Sequence, residues 1–143
     1  MKKLTTQATI TAFIKQENEK YAITHSVITF IRHANNENIN PEKIQNIRNA
    51  LTEAISNAIT FAYPNKKGKV SVSISIYDNK VLRLKVTDYG CGIEDISKAM
   101  TPLFSTEEGR SGLGFPVLKS SSDKLTVNST VGKGTIVTME FNL

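Results

Sequence analysis

The sequence has a single cysteine, no tryptophan and no long apolar run. One cysteine, Cys91, excludes an intrachain disulfide and any multi-cysteine metal site, and points to a reducing compartment. No stretch approaches the roughly 20 consecutive apolar residues of a membrane-spanning helix. The opening Met1-Lys2-Lys3-Leu4-Thr5-Thr6-Gln7 lacks the apolar core of a signal peptide. A cytoplasmic protein with no membrane partner is therefore expected. There is no run of Lys or Arg interleaved with aromatic residues, so direct binding to nucleic acid is not expected. Repeats, low-complexity segments and long linkers are also lacking, and residues 1–143 are expected to form one domain. What is there is ordinary for a soluble globular chain, with 39% hydrophobic and 22% charged residues. Lys plus Arg is 18 and Asp plus Glu is 13, a net charge of 18 − 13 = +5. That excess suits an anionic ligand or an acidic partner, though solubility alone would account for it.

Apolar spacing divides the chain into elements. Ala8, Ile10, Ala12 and Ile14 alternate and predict a strand. From about Asn18 to Ala34 the spacing turns helical, through Ala22, Ile23, Val27, Phe30, Ile31 and Ala34. Asn40-Pro41-Glu42 predicts a helix start: an N-cap, a proline in the first turn and an acid at the positive end of the dipole. Ile44, Ile47, Leu51, Ile55, Ala58 and Ala62 carry that helix to about residue 62. Val70 to Ile76 and Leu82 to Val86 alternate around a turn at Asp78-Asn79 and predict a hairpin. Short helices are expected at about 95–100 and 115–121. Strands are expected around Leu125 and Val127, and from Val137 to Phe141. The order βααββααββ predicts an α+β fold: a two-layer sandwich whose mixed, mostly antiparallel sheet carries its helices on one face.

Six of the eight glycines fall in three Gly-x-Gly pairs, Gly90/Gly92, Gly112/Gly114 and Gly132/Gly134, each at an element boundary. Glycine lets backbone N–H groups approach a ligand closely, and three such pairs favour phosphate binding over routine turns. Neither the P-loop pattern nor the dinucleotide fingerprint is present, so a nucleotide site here must be built differently. The second helix offers a complement. Glu53 and Asn57 lie four residues apart and share a face. Such a pair is most simply a solvated polar face. As a pocket wall it would place an amide oxygen for a hard cation and a carboxylate for a base. Asp88 ends a buried strand and is either an acidic turn-former or a buried carboxylate that needs a hydrogen-bond donor.

Together these segments resemble the GHKL ATPases, the superfamily that includes gyrase and the histidine kinases. Glu53-Ala54-Ile55-Ser56-Asn57-Ala58 resembles its N-box, and Asp88-Tyr89-Gly90-Cys91-Gly92-Ile93 its first glycine box. Arg110-Ser111-Gly112-Leu113-Gly114-Phe115 resembles the second glycine box, and Gly132-Lys133-Gly134-Thr135 the last. The boxes are specific through their order and spacing. With Pro102-Leu103-Phe104-Ser105-Thr106, the chain is most similar to the bacterial anti-sigma-factor serine kinases, the sporulation anti-sigma F factors above all.

The resemblance implies ATP and Mg²⁺ as cofactors. Asn57 would be the Mg²⁺ ligand, and Glu53 the general base toward an incoming serine hydroxyl. Asp88 would read the adenine amino group, with Gly90, Gly92 and Ile93 around the base and Thr135 supporting the contact. Residues 104–114 would form a lid in which Arg110, Ser111, Gly112, Leu113 and Gly114 meet the phosphates. The partners implied are a sigma factor, an anti-anti-sigma protein that accepts phosphate on serine, and a second copy of the chain in a homodimer. The alternative is a nucleotide-gated sigma-binding module without useful kinase activity. A detached histidine-kinase catalytic domain is disfavoured, because neither His25 nor His33 is followed by an acid. Three departures stand out. The lid is about two residues short, Glu107 stands where a lysine is common, and Phe61-Ala62 stands where His-Gly is frequent.

Overall fold

A computed structural model describes residues 3–35, 38–63, 67–90 and 115–143. The expected helix at 95–100, and with it the lid, lies outside them. Five strands form one sheet: β1 (Leu4–Ile14), β2 (Gly68–Tyr77), β3 (Val81–Asp88), β4 (Lys124–Thr130) and β5 (Gly134–Asn142). Their spatial order is β1-β2-β3-β5-β4, and all four pairings are antiparallel, so no parallel pair makes this sheet mixed. Helix α1 (Lys20–Ala34) follows a 3₁₀ turn at Glu17–Glu19. Helix α2 (Pro41–Asn57) continues as a single π-helical turn at Ala58–Ala62, and α3 (Phe115–Ser121) precedes β4.

Alternation in the sequence becomes two unlike sheet faces. Val70, Val72, Ile74 and Ile76 of β2 pair in register with Asp88, Val86, Leu84 and Leu82 of β3, and these aliphatic side chains are buried. Val137, Met139 and Phe141 extend the same face into β5. Ser73 and Lys85 pair on the opposite face, with Lys85 exposed. The core lies between the apolar face and the stripes of α1 and α2, through Val27, Ile31, Ile47, Leu51 and Ile55. The α1 stripe also includes Thr24 and Ile28, whereas Ala22 and Ala34, expected on it, are exposed. His25 and His33 are exposed on the same helix.

The start of α2 forms as its sequence predicts. The Asn40 side chain accepts a hydrogen bond from Glu42 N at 2.8 Å, and Pro41 occupies the first helical position. Beside that start, the Asp123 carboxylate accepts bonds from Asn142 N at 2.7 Å and Lys43 Nζ at 3.1 Å. That clasp ties the first turn of α2 to the strands that follow α3.

Candidate functional site

The turn that follows α2 meets the residues just beyond β3. Asn57 is the last α-helical residue, only 9% exposed, and neither Nδ2 nor Oδ1 has a hydrogen-bond partner among the described residues. Burying an unpaired amide costs about 1–3 kcal/mol, so most buried amides are paired. A bound group could satisfy the unpaired amide. Glu53, one turn earlier, is half-buried on the same helical face. The simpler reading of this pair as a solvated polar face is thus overturned for Asn57.

The π turn brings the chain round to β3. Ala62 lies so close to Gly90 that a Cβ there would run into the Ala62 carbonyl oxygen and methyl group. Tyr63, which follows, is buried at 7% exposure. Its hydroxyl donates to the Lys69 carbonyl at 2.7 Å and accepts the Tyr89 N–H at 2.6 Å. Burial raises the phenol above its ordinary value, so it stays protonated and keeps its donor role. The ring rests on Gly68, where any Cβ would strike it.

Asp88 ends β3 beside these residues. Its Oδ1 accepts from Gly90 N at 3.0 Å and from Thr135 N at 3.2 Å. Both donors favour the carboxylate, yet burial outweighs them and raises the acid above the usual aspartate range. Thr135 is opposite Asp88 in the β3–β5 ladder and is buried. Its Oγ1 lies 2.8 Å from Ser129 Oγ on β4. Gly134 has φ +129°, and a Cβ there would meet the Asp88 carbonyl and Tyr89 Cα. Only glycine permits that approach.

Of the residues singled out in the sequence, Asp88, Gly90 and Thr135 form one hydrogen-bonded cluster. Ala62 and Tyr63 connect that cluster to the helix bearing Glu53 and Asn57. Gly92, Ile93, Arg110, Ser111, Gly112, Leu113 and Gly114 lie outside the described residues. Sequence reasoning missed two participants. Ser129 continues the inward-facing series Leu125, Val127, a signal that the alternation carries. Tyr63 follows the apolar helical series and precedes a proline, and nothing in its spacing marks it.

Among the described residues, no group of three or more His, Cys, Asp or Glu side chains could hold a metal ion. The Asn57 amide oxygen suits a hard cation as one ligand, with nucleotide phosphates and water completing the shell, the usual arrangement for Mg²⁺. No helix among the described residues is long and apolar enough to cross a membrane.

Residues 18–141 match the family model of the histidine kinase-like ATPase domain, a nucleotide-binding domain for ATP. The chain is 49% identical over 100 residues to the anti-sigma F factor of Caldanaerobacter subterraneus subsp. tengcongensis, covering 68% of this chain and 69% of that one. It is 39% identical over 128 residues to the anti-sigma F factor of Clostridium acetobutylicum, covering 88% of this chain and 86% of that one. Two solved structures share the fold. The RsbU and RsbW domains of a Mycobacterium tuberculosis protein give a TM-score of 0.65 at 16% identity, over 97% of this chain and 33% of that one. The histidine kinase domain of a blue-light activated histidine kinase from Erythrobacter litoralis gives 0.59 at 20% identity, over 87% of this chain and 61% of that one. The α+β sandwich, the order of the boxes and these relatives agree: the chain belongs to the histidine kinase-like ATPase domain family and, within it, to the anti-sigma F factors.

Proposed function

We propose that this protein is an anti-sigma factor that binds and inhibits a sigma factor and, as an ATP-dependent protein-serine kinase, phosphorylates an anti-anti-sigma protein. We read residues 1–143 as one nucleotide-binding domain, acting as a homodimer in the cytoplasm, with sporulation as its setting. The observation that carries the reading is Asn57: a buried amide without a partner, one turn from Glu53, at the end of the N-box helix. The +5 charge suits both a nucleotide and an acidic partner.

Each residue has a definite task in this reading. Gly90 N and Thr135 N hold Asp88 Oδ1. Oδ2 is then the oxygen to accept the adenine amino N–H. Thr135, fixed by Ser129, supports that contact. Gly90, Gly92 and Ile93 would surround the base; Arg110 would lie near the phosphates with Ser111 and Leu113, and the backbone of Gly112 and Gly114 would hold phosphate oxygens. Asn57 Oδ1 would hold Mg²⁺. Bound Mg²⁺ and ATP supply the phosphoryl group with its charge neutralised, and positioning does the rest. Glu53 receives the proton of the incoming serine hydroxyl as general base.

The test is a transfer assay with γ-labelled ATP, Mg²⁺ and the cognate anti-anti-sigma protein. Acid-stable phosphoserine on that protein, and release of the bound sigma factor, are the expected results. Nucleotide-dependent sigma binding without any phosphoserine would replace the kinase with a nucleotide-gated binding module.

A further inference from the structure

From the bonds of its hydroxyl, we infer that Tyr63 is a positioning residue that sets the base specificity of the nucleotide site by holding the backbone at Asp88–Gly90. This rests on the reading of Asp88 as the group that recognises the adenine amine. The Tyr63 ring lies against Gly68, in contact too close for any side chain at that position. The ring therefore has a fixed seat, and its hydroxyl reaches two backbone groups at once. It donates to the Lys69 carbonyl at 2.7 Å and accepts from Tyr89 N at 2.6 Å. Tyr89 lies between the two residues whose placement matters. Asp88 precedes it, and Gly90, whose N–H holds Asp88 Oδ1 at 3.0 Å, follows it.

Asp88 is the last residue that the ladder holds, and Tyr89 and Gly90 lie beyond β3, so the strand pairing does not determine their backbone. Packing holds it there, with Ala62 on Gly90 and Gly134 on Tyr89 Cα, and the Tyr63 hydroxyl on Tyr89 N supplies the hydrogen bond. Without the hydroxyl, the Tyr89 N–H loses its acceptor, the Asp88–Tyr89 peptide that carries it is no longer tethered, and the placement of the following Gly90 N–H loosens with it. The Gly90 N–H then no longer fixes which carboxylate oxygen is turned toward the base. The hydroxyl bonds only the backbone of Lys69 and Tyr89, and neither residue is read as a phosphate or metal ligand. The signature is a loss of discrimination at the base rather than a general loss of binding.

The experiment compares ATP with inosine triphosphate, which carries a carbonyl in place of the adenine amine, by calorimetry on the full-length chain. The wild type should prefer ATP. Tyr63→Phe should weaken ATP by roughly tenfold, the equivalent of about 1.4 kcal/mol, and leave inosine triphosphate unchanged. In an Asp88→Asn background the same change should have no further effect on ATP. Exchange of the Tyr89 amide proton should quicken in Tyr63→Phe. If that variant is too unstable to titrate, 3-fluorotyrosine at position 63 keeps the ring and weakens the acceptor, and should give a smaller loss of the same kind. Equal weakening of both nucleotides, or an unchanged preference beside a lowered melting temperature, would make Tyr63 a structural residue and overturn the inference. A wild type that binds both nucleotides equally would overturn the reading of Asp88 itself, and the inference with it.

Discussion

Replacing Asp88 with asparagine should move stability and nucleotide binding in opposite directions. In the protein, Gly90 N and Thr135 N both point at Oδ1, at 3.0 and 3.2 Å. In the variant those two donors require the amide oxygen, because an NH₂ group accepts nothing. The NH₂ group must then occupy the Oδ2 position, where it faces the adenine amine donor to donor. Losing a hydrogen bond to a charged group costs about 1.5–3 kcal/mol, which corresponds to a roughly 10- to 150-fold rise in Kd for ATP. Stability follows the other sign. Burial raises Asp88 above its ordinary value. Its contribution to folding is therefore greatest below the unfolded value of about 3.9 and is lost as pH rises through the folded one. At pH 7 the buried carboxylate is a cost that a neutral amide removes. The assays are calorimetry with ATP and thermal melts of the nucleotide-free protein between pH 4 and 8. The variant should melt no lower than wild type at pH 7, and its advantage should shrink toward pH 4. Unchanged ATP affinity, or an equal loss of stability at every pH, would refute the reasoning.

Other residues give separate tests. Glu53→Gln should retain ATP binding and slow phosphotransfer by roughly 10²–10⁴-fold, the usual worth of a general base; single-turnover transfer at near wild-type rate would remove that role. Gly134→Ala would press a methyl group on the Asp88 carbonyl from a backbone at φ +129°. It should destabilise the protein by about 1–3 kcal/mol in urea melts and weaken ATP as well. Asp123 is held below the usual aspartate range chiefly by the Asn142 N–H; burial opposes that effect, and the hydrogen bond and charge of Lys43 add to the lowering. Its stabilisation is present above the unfolded value of about 3.9 and is lost as pH falls through the lowered one. The urea midpoint of Asp123→Asn should therefore lie below wild type at pH 7 and converge with it in acid.

Much of this fold can be read from spacing. The β2–β3 hairpin follows from strict alternation, and the start of α2 from Asn40-Pro41-Glu42, because both signals are local. Strand β1 begins at Leu4 rather than near Ala8 because pairing with β2 carries it outward to Tyr77, and a polar edge strand leaves little trace of such pairing. The change from α to π winding at Ala58 is invisible to periodicity, since five residues cannot separate two helical periods and Ala58 and Ala62 are buried either way. For the site, spacing put Glu53 and Asn57 on one face but could not say what covers that face. Burial of Asn57 without a partner is a tertiary fact. So are the two bonds of the Tyr63 hydroxyl, which join residues 6 and 26 positions away. Asp88 and Thr135 were singled out by their boxes, while their adjacency depends on β3 pairing with β5 instead of β4.

In the proposed function, Asn57, Asp88 and Thr135 belong to one Mg²⁺-dependent ATP site. Calorimetric titration of ATP into the folded protein, with and without Mg²⁺, tests it most directly. The account predicts Mg²⁺-dependent binding in the wild type and loss of that dependence in Asn57→Ala. Absence of binding at millimolar ATP by folded protein, or an Asn57→Ala variant with the same Mg²⁺ dependence, would contradict it.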